Sequence, residues 1–133
     1  MAVRTPEKQS QHDAVINDLA HQYQRSNWTV RTNPGGQKTS DITWWIDVMV
    51  AATPTSENTF AIEIETDDTV SEEEATSQWT GYARNYRNWY LAVPSGSETR
   101  ARSLLVSHGI ANCKVVTWAA SSRGCMFYGL PGA

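Results

Sequence analysis

Three carboxylates in two neighbouring segments are the residues of this sequence best placed to do chemistry. Asp47 lies in a segment of alternating apolar residues at 42–52, and Glu63 and Glu65 lie in a second such segment at 60–65. Alternation with a period of two predicts strands, and the short polar loop between them predicts an antiparallel hairpin. With that loop at its centre, the hairpin places Asp47 directly opposite Glu63. Glu65 is two residues beyond Glu63 and therefore points from the same face of its strand.

The facing carboxylates need a compensating charge. Two acids opposite each other in a hairpin lie about 5 Å apart at Cβ and repel each other. A divalent cation removes this repulsion, because hard cations bind carboxylate oxygens. The sequence therefore predicts a metal site at Asp47, Glu63 and Glu65, and the alternative interpretation is a solvent-exposed acidic face. Asp41 would pair with residue 69, beyond the strand, and is not part of the predicted site.

The elements that position these acids follow the order α-β-β-β-α-β-α-β. Helices are predicted from apolar spacing and end signals such as Thr5-Pro6 and Gly109, and strands from alternation or short apolar runs. Strands joined by short loops are expected to be antiparallel, and strands that follow helices to be parallel. This predicts a single α/β domain over residues 1–133, with a mixed sheet flanked by helices and a C-terminal tail, 119–133, with little regular structure. The predicted bounds are 6–26, 69–88 and 99–108 for the helices, and 28–31, 42–52, 60–65, 89–93 and 114–118 for the strands.

Composition narrows the class of protein. The chain has 133 residues, a net charge of -3 and two cysteines, Cys113 and Cys125, without a Cys/His array. These properties argue against a zinc module, a disulfide scaffold and a strongly basic nucleic-acid-coating protein. The polar N-terminus and the absence of a long apolar run predict an intracellular, cytoplasmic protein without a membrane partner.

The acidic motif resembles the PD-(D/E)XK nuclease superfamily, whose fold is restriction-endonuclease-like. The motif is Ile46-Asp47 followed by Glu63-Ile64-Glu65, in an αβββαβ element order that covers about residues 10–118. Gln78 and Tyr82, in the predicted helix after the acidic strand, look like the Gln-x-x-x-Tyr motif of the RecB-like branch. Residues four apart in a helix share one face, so both side chains could reach the acids.

The resemblance implies a metal-dependent deoxyribonuclease that hydrolyses phosphodiester bonds in DNA. It implies that Asp47, Glu63 and the main-chain carbonyl of Ile64 bind Mg²⁺ or Mn²⁺, and that Gln78 and Tyr82 support the site. Glu65 would orient water or act as a general base. The alternative is a catalytically inactive nuclease-fold module for nucleic-acid binding or protein assembly, and a third interpretation is a small α/β enzyme of unrelated chemistry.

Two positions depart from the family's motif. Ile46 stands in place of the proline, and Glu65 stands in place of the lysine that supplies a positive charge near the attacking water. Lys38 is the candidate to supply that charge from the loop before the aspartate strand. Asp13 and His12, on the first helix, are candidates to add to the site.

The remaining candidates concern partners. Several basic residues could line the rim of an acidic cleft that binds DNA phosphates, although ordinary surface charges explain them equally well. Trp45 could stack on a base. An exposed tryptophan or the segment 126–128 could form a homodimer contact. His21 and His108 are interpreted as surface or C-cap histidines. The basic candidates are Arg31, Lys38, Arg84, Arg87, Arg100 and Arg102.

Overall fold

The structure is a computed structural model that describes residues 5–33, 46–51 and 59–131. Its first element is helix α1, Pro6–Arg25. The helix begins where the sequence predicts, because the Thr5 side chain accepts a hydrogen bond from the Lys8 N–H and proline occupies the first helical position. No helix in the described part of the chain is long and apolar enough to cross a membrane.

Six strands form one mixed sheet in the order β1-β2-β3-β4-β5-β6. The pairs β1–β2, β2–β3 and β5–β6 are antiparallel, and β3–β4 and β4–β5 are parallel. The predicted orientations of the first five strands are therefore confirmed. The strands are β1 Thr29–Thr32, β2 Val48–Ala51, β3 Thr59–Ile64, β4 Trp89–Pro94, β5 Cys113–Ser121 and β6 Gly124–Tyr128.

The register of the β2–β3 hairpin decides how the acids meet. Val48 pairs with Ile62, so the next positions outward are Asp47 and Glu63. The predicted register is confirmed. Residues 42–45, the first part of the predicted second strand, and the hairpin loop 53–58 lie outside the described residues.

Helices cover both faces of the sheet and form two hydrophobic cores. Helix α1 packs its apolar face on one side, with Ile16 and Leu19 fully buried. The other side is covered by α4, Glu98–Ser107, and by a continuous helix made of α2, Glu72–Glu74, a π-helical segment, Ala75–Trp79, and α3, Thr80–Asn85. We call this continuous helix the 72–85 helix, and it falls within the predicted range of 69–88.

The expectation of a tail with little regular structure after residue 118 is wrong. β5 continues to Ser121 and turns through residues 122–123 into β6. Gly124 has the positive φ, 105°, that this turn requires. The sequence hides the strand because Met126 and Tyr128 point outward, so that apolar residues occupy both faces and the alternation is lost.

Candidate active site

The predicted motif acids meet at the end of β3. Asp47 immediately precedes β2, and its main-chain N–H donates to Glu63 Oε1 at 3.2 Å. The Ile64 N–H donates to Asp47 Oδ2 at 2.7 Å. The Asp47 carboxylate thus takes the place of a main-chain acceptor where the β2–β3 ladder ends. The two strands of this hairpin are therefore joined at its open end through the motif residues themselves.

All three acids are buried, so the interpretation as a solvent-exposed acidic face is wrong. The exposed fractions are 5% for Asp47, 3% for Glu63 and 0% for Glu65. Burial raises the pKa of Glu63 well above its ordinary value, and the nearby negative charges of Asp47 and Glu65 raise it further. The site therefore concentrates acidic groups in a poorly solvated place, which is a feature of functional sites.

Glu65 is held by protein donors on both of its carboxylate oxygens. Trp79 Nε1 donates to Oε2 at 2.6 Å, and Thr69 Oγ1 donates to Oε1 at 2.7 Å. The main-chain carbonyl of Glu65 also accepts a hydrogen bond from Trp118 Nε1 at 3.0 Å. Glu65 lies on the same face as Glu63, as predicted, but its surroundings differ from those of a water-activating group.

Gln78 and Tyr82 reach the acids as their helical spacing predicts. The Tyr82 hydroxyl donates to Glu63 Oε2 at 3.1 Å. The Gln78 amide faces oxygen atoms, so its nitrogen is oriented toward them, at 2.9 Å from Tyr82 Oη and 3.2 Å from Glu63 Oε2. Burial and the negative charge of Glu63 raise the pKa of Tyr82, so its hydroxyl keeps its proton and acts as a donor.

Glu74 joins the cluster and was missed by the sequence analysis. It is 2% exposed, and its Oε1 accepts a hydrogen bond from the Gln78 amide nitrogen at 2.9 Å. Carboxylate oxygens of Glu63, Glu65 and Glu74 lie within 4.8 Å of one another. A signal was present: Glu74 precedes Gln78 by four residues, as Gln78 precedes Tyr82, so the three share one helix face. The run Glu72–Glu74 indicated only a helix start.

His12, on helix α1, contacts the motif acid Asp47. His12 is 2% exposed, and its Nε2 lies 3.0 Å from Asp47 Oδ2. Its Nδ1 lies 3.3 Å from Asp13 Oδ1, which also accepts a hydrogen bond from Gln9. The His12 ring therefore lies between Asp13 and Asp47, and helix α1 contributes to the site through this imidazole.

Several other residues considered in the sequence analysis border other cavities or lie outside the described residues. The candidates Lys38 and Trp45, and the excluded Asp41, fall on residues that the structure does not describe. Arg87 borders a cavity at the start of β3, and Arg84 borders a cavity with His108 and Asn112; neither cavity includes an acid of the site.

The two remaining histidines agree with their interpretation. His21 is exposed. His108 is the C-cap residue of α4 and contacts Glu72.

The donor set of the cluster suits a hard divalent cation. Glu63, Glu65 and Glu74 bring carboxylate oxygens within 4.8 Å of one another, and Asp47 lies next to Glu63. Mg²⁺ and Mn²⁺ prefer such oxygen ligands. Burial is the main cause of the raised pKa of Glu63, and the negative charges of the neighbouring acids raise it further. A bound cation would relieve this repulsion between the acids.

Comparison with known proteins adds little to this description of a mixed α/β sheet with a buried acidic cluster. No protein-family model matches the sequence, and no curated protein is detectably similar to it. A solved structure of a protein of unknown function from Silicibacter pomeroyi is similar, with 12% sequence identity and a TM-score of 0.46. The match covers 96% of this chain and 71% of that chain. A similarity of this degree carries no functional information.

Proposed function

We propose that the protein is a metal-dependent deoxyribonuclease of the PD-(D/E)XK type, with a restriction-endonuclease-like core. One observation carries the proposal. Four side chains of the two motifs, Asp47, Glu63, Gln78 and Tyr82, belong to one largely buried hydrogen-bonded cluster in which Glu63 is the common partner. A chance similarity of sequence would not require them to meet.

The residues that would hold Mg²⁺ or Mn²⁺ are Asp47, Glu63 and the main-chain carbonyl of Ile64. The N–H and C=O of one strand residue point to the same side, and the Ile64 N–H points to Asp47, so its carbonyl is directed toward that side as well. Glu74 is a further carboxylate beside Glu63. The cation would supply charge neutralisation at the scissile phosphate and a nucleophilic water at neutral pH.

The protein groups around the acids hold them in place. The Tyr82 hydroxyl and the Gln78 amide fix the Glu63 carboxylate, and the Ile64 N–H and His12 fix that of Asp47. Residues that hydrogen-bond to metal ligands orient those ligands. Their removal commonly lowers metal affinity or activity by about 10–100-fold.

A cleavage assay with matched variants tests the proposal. Purified protein is incubated with supercoiled, linear and branched DNA in the presence of Mg²⁺ or Mn²⁺. We expect cleavage by the wild type, a loss of about 100-fold or more in Asp47→Asn and Glu63→Gln, and wild-type activity in Glu73→Gln, which removes an exposed acid of the same region. Cleavage that persists in Asp47→Asn, or no cleavage of any DNA, would show that the assignment is wrong.

The burial of the acids favours a second candidate, the catalytically inactive nuclease-fold module. Asp47 and Glu63 expose at most 5% of their surface, and Glu65 stands where the family has a lysine. A module of this kind is expected to bind Mn²⁺, with a higher melting temperature in its presence, and to leave every DNA uncut. The combination of metal binding without cleavage therefore separates the two candidates.

A further inference from the structure

Glu65 occupies the position of the family's lysine, and the structure surrounds it with hydrogen-bond donors. Its side chain has no exposed surface. One oxygen accepts from the indole N–H of Trp79 at 2.6 Å and the other from the hydroxyl of Thr69 at 2.7 Å. The carboxylate therefore links β3 to two separate segments of the chain.

These two segments are the helix that carries Gln78 and Tyr82 and the turn that leads into it. Trp79 follows Gln78 directly in the π-helical segment, and Tyr82 lies three residues further along the 72–85 helix. Thr69 ends the short turn that leads into this helix, and its hydroxyl oxygen also accepts from the Thr66 N–H at 3.0 Å. The distance between β3 and the face that carries Gln78 and Tyr82 thus depends on the bonds of Glu65.

We propose that Glu65 is a positioning residue. Through its hydrogen bonds to Trp79 and Thr69 it holds the 72–85 helix in the position relative to β3 from which Gln78 and Tyr82 reach Glu63. In this role Glu65 neither activates water nor binds the metal. An oxygen that turned away to a metal would leave the buried N–H of Trp79 without its acceptor. A lysine at this position could not accept either bond, which gives a structural reason for the glutamate.

The role can be separated from a catalytic one because a glutamine preserves the linkage and removes the charge. In Glu65→Gln the amide oxygen still accepts from Trp79. Its nitrogen can donate to Thr69 Oγ1. That hydroxyl can in turn donate its proton to the Thr66 carbonyl oxygen, which lies 3.1 Å from Oγ1. Glu65→Ala removes the linkage altogether, and Trp79→Phe keeps an aromatic ring but removes the indole N–H.

The first experiment rests on the proposed function. It measures Mn²⁺-dependent DNA cleavage, and Mn²⁺ affinity by titration calorimetry, for the wild type and the three variants. We expect the cleavage rate and the Mn²⁺ affinity to fall by about 10–100-fold in Glu65→Ala and Trp79→Phe. In Glu65→Gln we expect both to fall by less than about 10-fold. If Glu65 were a general base, its replacement by glutamine would lower the cleavage rate by about 100-fold or more. That result in Glu65→Gln would overturn the proposal.

A second measurement decides the inference when the wild type neither cuts DNA nor binds Mn²⁺, which would refute the proposed function alone. The indole proton of Trp79 is assigned by its absence from the spectrum of Trp79→Phe, and its exchange with solvent is followed by NMR. Slow exchange in the wild type and Glu65→Gln, and fast exchange in Glu65→Ala, support the positioning role. Equal exchange in Glu65→Ala and the wild type would overturn it.

Discussion

At the scale of single residues, Glu63 is subject to two opposing influences. It accepts hydrogen bonds from the Asp47 N–H and the Tyr82 hydroxyl while it lies beside three other acids, Asp47, Glu65 and Glu74. The hydrogen bonds stabilise its position, but the desolvation and the like charges disfavour its ionised form. The same residue is therefore a well-oriented ligand and a destabilising charge when no cation is bound.

This conflict predicts a pH dependence of stability in the absence of metal. The pKa of Glu63 in the folded protein is raised above its ordinary value of 4.5, so the folded state holds this proton more tightly than the unfolded state. The stabilisation is fully present below pH 4.5 and is lost as the pH rises through the folded-state pKa. We expect the metal-free wild type to lose more stability than Glu63→Gln as the pH rises from about 4.5 to 8, by about 1.4 kcal/mol for each pH unit that separates the folded-state pKa from the unfolded-state pKa.

Thermal melts in the presence of a chelator measure this difference. Glu73→Gln, an exposed substitution, is expected to follow the wild-type profile and serves as the control. Parallel pH profiles for the wild type and Glu63→Gln would contradict the prediction. Added Mn²⁺ is expected to raise the melting temperature of the wild type more at high pH than at low pH, because the ligand must lose its proton to bind.

At the scale of elements, helix α1 has three functions. It buries its apolar face on the sheet and brings His12 to Asp47. It also covers the β6 edge: Asp18 Oδ2 accepts a hydrogen bond from the Cys125 N–H at 3.1 Å, and Gln22 Nε2 donates to the Cys125 carbonyl at 2.9 Å. Sheet edges without such cover pair with other chains.

We therefore expect Asp18→Ala to weaken the β6 edge. The loss of one hydrogen bond that leaves a partly buried N–H without its acceptor costs about 1–3 kcal/mol of the free energy of unfolding. The uncovered edge is also expected to promote concentration-dependent association, which light scattering detects. Asn17→Ala, an exposed neighbour on the same helix, is the control. Equal melting temperatures and equal scattering for Asp18→Ala and Asn17→Ala would contradict this prediction.

At the scale of the whole molecule, the exposed apolar surface bears on association. Among the described residues, the large hydrophobic side chains with high exposure are Val106 at 78% and Met126 and Tyr128 at 53% each. Met126 and Tyr128 are two residues apart in β6 and so lie on one face, which is consistent with the segment predicted from the sequence to contact a second copy.

The homodimer remains a prediction with a direct test. Sedimentation velocity of the wild type is expected to show a dimer at micromolar concentration, and Tyr128→Lys is expected to sediment as a monomer with an unchanged melting temperature. Val106→Lys removes an even more exposed apolar side chain from α4 and is expected to leave the dimer intact. A monomeric wild type would refute the prediction.

The sequence alone determined the hairpin register, the strand orientations and the helix face that carries Gln78 and Tyr82. These features depend on the periodicity of neighbouring residues and on short connections, and both can be read directly from the sequence. Glu74 could have been found by the same helical spacing from Gln78. The sequence also missed β6, because outward Met126 and Tyr128 disguise its alternation.

Only the tertiary structure decided the contacts between elements that are distant in the chain. The pairing of His12 with Asp47, and the engagement of Glu65 by Trp79 and Thr69, depend on how helices pack against the sheet. No periodicity within one segment carries that information, because packing depends on the shapes of all the buried side chains together. For the same reason Glu65 resembles a catalytic residue in the sequence, whereas in the folded protein both of its oxygens accept hydrogen bonds from buried neighbours.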